Sequence, residues 1–488
     1  MRSAKVVVAA AVAAVVAGHA HAAVRYVNVA LTAGADNGTS WDNAYRTADG
    51  VSRALAASVS GDEVWVAAGT YKPTTGTSRT VFITMKTGVA VYGGFAGTET
   101  AVSQRSVSTN VAVLTGDLLG NDNGTTTNLS DNSYHVVVGS SVASTAVLDG
   151  FTIRGGYANG ATASNYDKGG GILVLTSGNP TVRNCRFLGN RCTFGGGAGY
   201  IFGAGGTFVD CEFTDNVGGS YGGAFDTNGT TVRWERCLFR NNQASRAGAI
   251  ESYGNSQSTI INCVFVLNRA TTTNSGGAVW AGTSSAVTVR NSTFVGNSAS
   301  ASSGGGFYNT SGTSTLANCI FWGNTGTGGA TTNNQITAAG GTNTVSYSLV
   351  QGGAAGTGNI SATPTFVDQA AYDLRLQSTS AGIDAGSNSL VPTGVSVDFD
   401  GNPRRVDIVA VPDTGVGGAP VVDMGAFEVQ LPPPPACPAD LDNDGFVDGL
   451  DLASILSAWA SADGDVNGDG TTDGADLAEV LGAWGPCS

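Results

Sequence analysis

Two short stretches near the end of the chain carry oxygen donors at a spacing that could wrap a cation. The first is Asp440-x-Asp442-x-Asp444-Gly445-Phe446-x-Asp448-x-x-Asp451. The second is Asp465-x-Asn467-x-Asp469-Gly470-Thr471-x-Asp473-x-x-Asp476, each element lying 25 residues after its partner. Counted from the first Asp, the donors fall at loop positions 1, 3, 5, 9 and 12, and Gly stands at 6. Position 7 (Phe446, Thr471) would add a backbone carbonyl. Hard oxygen ligands at these offsets suit Ca2+, and the Gly permits the sharp turn that brings them together. Two bound calcium ions are therefore expected, one per loop.

Each loop runs into an apolar pattern of helical period, Leu452, Ile455, Leu456, Trp459 and then Leu477, Val480, Leu481, Trp484. The i, i+3, i+4, i+7 spacing predicts an amphipathic helix after each loop. No helical pattern precedes either loop, and Asp replaces Glu at position 12, so the pair departs from an EF-hand. Cys437 and Cys487 bracket the module, and a bridge between them would close its ends, worth roughly 4 kcal/mol on a loop-entropy estimate. Residues 437–487 resemble a type I dockerin. That resemblance implies a cohesin-like partner on a scaffold or cell surface. Dockerins of that class often carry hydroxyl residues at loop positions 10 and 11, where this chain has Gly449-Leu450 and Gly474-Ala475. Leu431 and the four prolines Pro432–Pro435, with Ala436, form an extended linker (431–436) ahead of the 437–488 module.

What precedes the linker repeats. Cys185-Arg186-Phe187-Leu188-Gly189-Asn190 returns around Phe213, Phe239, Phe265, Phe294 and Phe321, at offsets of 26, 26, 26, 29 and 27 residues. A fixed period in the twenties indicates a solenoid. Cys185 and Phe187 alternate as on a strand with one buried face, whereas the upstream ladder Val182, Phe208, Trp234, Ile260, Val289, Leu316 has the opposite parity. Both cannot point inward from one straight strand, so the chain must bend between them, at Asn184, a residue type that tolerates the left-handed conformation. Gly196-Gly197 and Gly222-Gly223 mark a second bend, and Phe225, Ile250, Val279 and Phe307 form a third apolar ladder. Three strands and three turns per coil predict a mainly β fold, a right-handed parallel β-helix over 24–358, followed by a small α-helical calcium module. The Leu-x-x-Leu-x-Leu framework of leucine-rich repeats is absent. The FxxN and GGA pairs over 147–352 resemble the repeats of chlamydial polymorphic outer membrane proteins, which implies the same fold and surface display. The helical pattern at 49–58, followed by Gly61-Asp62-Glu63-Val64-Trp65-Val66, resembles the N-terminal cap of pectate-lyase-like β-helices. Residues 359–430 break the period. Asp384-Ala385-Gly386 and Asp423-Met424-Gly425-Ala426-Phe427-Glu428 resemble the segment following β-helices in choice-of-anchor Q proteins, and are expected to form a C-terminal cap.

Composition agrees with an exported solenoid. Gly is 72 of 488 residues and only 12% are charged. Residues 437–488 hold eleven of the 37 acids and no Lys or Arg, leaving 26 acids against 23 bases elsewhere. The C-terminal module thus carries 11 of the 14 net negative charges, and no basic stripe exists to suit a nucleic acid. Arg2, Lys5, the apolar run from Val6 to Ala17 and Ala20-His21-Ala22 read as a signal peptide (1–22). No later apolar run is long enough to span a membrane. Cys185, Cys211, Cys237, Cys263 and Cys319 share one inward ladder. Stacked in register they are expected to be buried free thiols, because the coil spacing exceeds the usual Cβ separation of a disulfide.

On the solenoid, the residues following the third inward position form an outward ladder: Tyr200, Asp226, Glu251, Trp280, Tyr308. Asp226 and Glu251 fall on adjacent coils between aromatic platforms, a candidate catalytic pair or sugar site with Tyr200, Trp280 and Tyr308 as ligand-binding candidates. Polygalacturonase-like hydrolases need Asn-Thr-Asp, Asp-Asp, Gly-His-Gly and Arg-Ile-Lys segments, and none is present. Beyond the leader the chain has one His, His135, and three Lys: Lys72, Lys86 and Lys168. No acid cluster is expected beside Arg233, Arg236 and Arg240. The reading is a secreted or cell-surface β-helix that binds a surface or a polysaccharide, its calcium module serving attachment. The alternative is a polysaccharide lyase or glycoside hydrolase carrying a dockerin.

Overall fold

The computed structural model describes residues 22–487 apart from 124–126, 273, 301–303, 327–331, 409, 431–436, 462 and 468–469. The expected signal peptide (1–22) up to His21, the proline linker and Asp469 therefore lie outside the described residues. The chain divides into two compact units, up to Val429 and from Gln430 onward.

The first unit is a parallel β-helix. Three sheets, of eleven, ten and nine strands, run its length, one strand per coil in each. They are named here for the strands at mid-length: the Trp234 sheet (Thr231–Glu235), the Phe239 sheet (Leu238–Arg240) and the Ile250 sheet (Ile250–Tyr253). The ladders predicted from parity are in register. Val182 pairs with Phe208, Phe208 with Trp234 and Trp234 with Ile260, while Phe187, Phe213, Phe239, Phe265, Phe294 and Phe321 stack along the next sheet. The rings of Phe265 and Phe294 stack nearly parallel, their centroids 4.4 Å apart. The bend between the two ladders is left-handed in every repeat, at Asn184 (φ 51°), Asp210, Arg236, Asn262, Asn291 and Asn318. At the second bend Gly196 has φ +74°, and a Cβ there would stand 1.9 Å from the Gly199 carbonyl oxygen. That position admits only glycine.

Inside the turn that follows each Phe, a ladder of Asn side chains replaces apolar core. Asn190, Asn216, Asn242, Asn268, Asn297 and Asn324 are fully buried. Each Nδ2 donates to the carbonyl of a Phe or Ile one coil back and to the Oδ1 of the next Asn. Asn324 ends the ladder by donating to Gln335 Oε1 (2.8 Å). The five ladder cysteines are buried free thiols, as expected, and so is Cys192. Burial pushes the Cys185 thiol up to about 12.

The helix Gly50–Ala57 buries Val51, Ala54 and Leu55 in the same apolar cluster as Val27 and Val64, matching the N-terminal cap expected at 49–58. The segment 359–429 does something other than the expected end cap. Its Phe366, Leu374, Leu376, Ile383 and Met424 pack with Val264, Val295, Ile320 and Leu349, which sit on the outer face of the Phe239 sheet. Asn262 Nδ2 donates to the Val397 carbonyl and the Ala426 amide donates to Thr293 Oγ1, fixing the segment along the side of several coils. The physical reason is visible in the strands: Val264–Val266 and Thr293–Val295 are buried on both faces, so their outer side chains require a cover.

His135 is wholly buried, with Nδ1 2.9 Å from the Gly169 carbonyl oxygen and no hydrogen-bond partner for Nε2. Burial pushes the imidazole down to about 4. Against an unfolded value of about 6.5, the unfolded chain binds the extra proton between those limits. The stability carried by the neutral ring is therefore complete above pH ~6.5 and is lost as pH falls towards ~4, a total of about 3 kcal/mol. Relative to wild type, His135→Asn should flatten the dependence of the denaturation midpoint on pH across that window. Parallel profiles would refute the assignment.

Candidate functional site

The second unit holds the loop pair. Cys437 and Cys487 are bonded, their Cα atoms 5.9 Å apart. The two predicted helices are Gly449–Ser457 and Gly474–Gly482, and the strand Phe446–Val447 pairs antiparallel with Gly485–Pro486. In the first loop, carboxylate oxygens of Asp440, Asp442 and Asp444 all lie within 4.8 Å of one another. Gly445 and Gly470, at position 6, have φ +92° and +95°, the turn that glycine was expected to permit. Asp451 Oδ1 accepts the Leu441 and Asp442 amides and Oδ2 accepts the Asp448 amide. Asp476 repeats this with Val466, Asn467 and Asp473. Burial raises the Asp451 carboxyl, but these amides more than offset it and hold it below the usual carboxylate range. Position 12 thus closes its loop and caps the following helix, while each oxygen keeps lone-pair capacity for a cation.

The helix faces differ from the pattern read in the sequence. Only Ile455 and Val480 are fully buried, with Leu452 and Leu477 packed against them. Leu456 (55%), Trp459 (49%), Leu481 (54%) and Trp484 (52%) are exposed. A unit this small has one shallow core, which takes the i, i+3 pair of each helix and leaves the i+4, i+7 pair outside.

On the solenoid, the outward ladder is in register as read: Tyr200 pairs with Asp226, Asp226 with Glu251, Glu251 with Trp280, and Trp280 with Tyr308. It is not a surface. Asp226 is 4% exposed, Glu251 1%, and the three aromatics are equally covered. The turns fold over it. Arg246 pairs with Glu251, and its guanidinium sits 4.1 Å from the Trp280 ring centroid and 4.4 Å from that of Tyr221. Trp280 Nε1 donates to the Asn274 carbonyl. Lys168 pairs with Asp167 above Phe194 and Tyr200. Burial, and then the charge of Glu251, push the Asp226 carboxyl well up; burial also raises Glu251 against the pull of Arg246. The pair is brought together, but behind a lid of side chains that a polymer cannot pass.

An open groove lies elsewhere, on the outer face of the Phe239 sheet where the 359–429 segment stops covering it. Coils at Phe151–Arg154, Arg186–Leu188 and Glu212–Thr214 turn Arg154, Arg186 and Glu212 outward. Arg186 Nε donates to Glu212 Oε2 (2.7 Å), and this ion pair lines two adjoining hollows of about 580 and 650 Å³. One flank is the loop around Asp117–Asn132 and the other includes Val107 and Phe399. Asp117 accepts the amides of Gly120, Asn121 and Asp122 and so shapes the loop. Asp122 Oδ2 accepts from Asn132, whereas its buried Oδ1 has no partner. Burial, with the charges of Asp117 and Asp131, raises the Asp122 carboxyl despite Asn132 and Arg154. Carboxylates, guanidinium groups and apolar wall in one groove suit the hydroxyls, carboxylates and ring faces of a sugar chain. These residues are outward positions of the Phe239 sheet, whereas the ladder from Tyr200 to Tyr308 belongs to the Ile250 sheet; their signal in the sequence was the charge flanking each early Phe, Arg186 and Glu212, giving way to Val264, Val266 and Val295 later. Arg236 pairs with Asp210 and Glu235, and Arg233 with Glu235.

A family model described as the right handed beta helix region matches residues 118–294. The fold is therefore a right-handed parallel β-helix. Metabotropic glutamate receptor-like protein P of Dictyostelium discoideum is 33% identical over 96 residues, covering 20% of this chain and 7% of that protein. The chain spans less than a tenth of that relative. The crystal structure of pectate lyase Pel9A aligns with a TM-score of 0.45 and 14% identity, over 85% of this chain and 98% of that one. No helix among the described residues is long and apolar enough to cross a membrane.

Proposed function

We propose that this chain is an exported β-helix protein that binds a polysaccharide along the groove centred on Arg186 and Glu212, and that residues 437–488 form a dockerin-like calcium module for attachment to a cohesin-like or cell-surface partner. The observation that carries the first part is the uncovered, charged stretch of the Phe239 sheet, between a loop shaped by Asp117 and the edge of the lateral segment. The attachment reading is supported by the convergent carboxylates of the first loop and by the exposed Leu456/Trp459 and Leu481/Trp484 pairs, apolar surface that a partner could cover. Asp440, Asp442, Asp444, Asp448 and Asp451, and their counterparts Asp465, Asn467, Asp469, Asp473 and Asp476, would hold the two ions, with Phe446 and Thr471 contributing backbone carbonyls. Calcium would supply the positive charge these loops lack.

The test is affinity electrophoresis of the full chain against a panel of neutral and acidic polysaccharides. Arg154→Ala/Arg186→Ala is expected to weaken retardation by the bound member at least tenfold, about 1.4 kcal/mol or more. A wild-type chain that no polysaccharide retards would end this reading. The second reading, a lyase or glycoside hydrolase, is favoured by Asp122, a half-buried acid with a raised pKa and a free oxygen beside Arg154. Reducing-end release that Asp122→Asn abolishes would establish it.

A further inference from the structure

Within the lateral segment one buried acid stands without a partner. Asp384 is fully buried, and no donor reaches either carboxylate oxygen with hydrogen-bonding geometry. Its backbone is well held, the amide donating to Asp423 Oδ1 (2.8 Å) and the carbonyl accepting from Thr414 and Gly415 (2.9 Å each). Those last two bonds draw the loop that follows Arg405 around it. The loop carries Asp407 and Asp413, both exposed, and one oxygen from each of the three acids lies within 4.8 Å of the others.

We propose that Asp384, Asp407 and Asp413 bind a divalent cation of the calcium class, a site separate from the two C-terminal loops. Two oxygens that ligate one Ca2+ at about 2.4 Å cannot stand more than ~4.8 Å apart, and this set meets that bound. The ligands are hard oxygens only, which disfavours the softer metals. Among the described residues no base answers the charge. Arg404, buried nearby in sequence, donates to the carbonyls of Asp423 and Gly425 and faces Glu428; Arg405 donates to the Asn388 carbonyl. The charges acting on Asp384 are those of Asp413 and Asp407. With burial, the largest effect, they push its carboxyl up to about 6, and the nearby Ile408 amide offsets only part of this without a hydrogen bond of normal geometry. A buried carboxylate facing two others is relieved either by a proton or by a cation. Exposed Asp407 and Asp413 on the rim give an ion a way in and leave room for water ligands.

Equilibrium dialysis of the full chain with radioactive calcium distinguishes the two. Asp407→Asn/Asp413→Asn, both exposed positions, should bind one ion fewer per chain than wild type while the β-sheet dichroism is unchanged. Asp384→Asn should lose the same ion. Asp440→Ala/Asp465→Ala, which removes the first ligand of each C-terminal loop, should still release one ion on adding the Asp407/Asp413 changes, so the site is read independently of those loops. If the Asp407→Asn/Asp413→Asn chain binds as many ions as wild type, the acids are protonated or merely solvated and the proposal is overturned.

Discussion

Removing calcium from the full chain is expected to unfold the helices Gly449–Ser457 and Gly474–Gly482 while the β-helix stays intact. The expectation follows from what residues 437–488 lack. Their fully apolar interior amounts to Ala439, Val447, Ile455 and Val480, with a few half-buried neighbours. Eleven acids stand there with no Lys or Arg, and three of their carboxylates already converge within 4.8 Å. The Cys437–Cys487 bond restrains the ends, yet a bridge worth roughly 4 kcal/mol cannot order some fifty residues alone. Each ion held a thousandfold above its dissociation constant adds about 4 kcal/mol. Hydrogen exchange of peptides covering 446–460 and 471–486 should therefore lose about a thousandfold protection when a chelator is added. Asp440→Ala should reproduce the loss in the first peptide at ambient calcium. Protection that a chelator leaves unchanged would show that the disulfide and the small core suffice, and the calcium assignment would fall.

The same contrast between regular and irregular chain governs what the amino-acid order discloses. Ladder positions such as Val182, Phe187 and Phe225 are legible because a side chain that must meet its counterpart every coil recurs with the coil. The bend at Asn184 is legible because two ladders of opposite parity leave no alternative. The turns at Gly445 and Gly470 and the helices after them are legible because each spacing recurs 25 residues on. Parity also placed Asp226 and Glu251 outside the barrel correctly, but outside the barrel is not the surface. Arg246, which pairs with Glu251 and lies over the Tyr221 and Trp280 rings, and Asn274, which accepts from Trp280 and Tyr308, sit in turns and point back over the sheet through contacts that local spacing does not encode. The lateral course of 359–429 is hidden for the same reason. Its trace in the sequence was indirect, in the outer positions Val264, Val295 and Ile320, apolar where earlier coils have Arg186 and Glu212. The groove is the complement of that cover, so reading one requires the other.

The largest single-residue effect expected in the solenoid lies in the Asn ladder rather than in the aromatic core. Asn242 Nδ2 donates to the Phe213 carbonyl (2.7 Å) and to Asn268 Oδ1 (2.9 Å), while its Oδ1 accepts the amide and the Nδ2 of Asn216, each at 3.0 Å. All of these groups are buried, and no water-sized opening is needed to satisfy them because each coil supplies the next. Asn242→Ala leaves the Asn216 amide without a partner and removes one donor each from the Phe213 carbonyl, which keeps its place in the strand ladder, and from Asn268 Oδ1. The orphaned buried amide costs about 1–3 kcal/mol and each further lost bond about 0.5–1.5 kcal/mol, so the substitution should destabilise the solenoid by about 2–6 kcal/mol. Because the ladder runs through adjacent coils, the loss should appear in the exchange rates of coils 213–216 and 265–268 as well as in the denaturation midpoint. Thr231→Ala, an exposed position on the neighbouring strand, should change the midpoint by less than about 0.5 kcal/mol. If Asn242→Ala falls within that same margin, the turn amides find other acceptors, and the Asn ladder is not what holds the coils together.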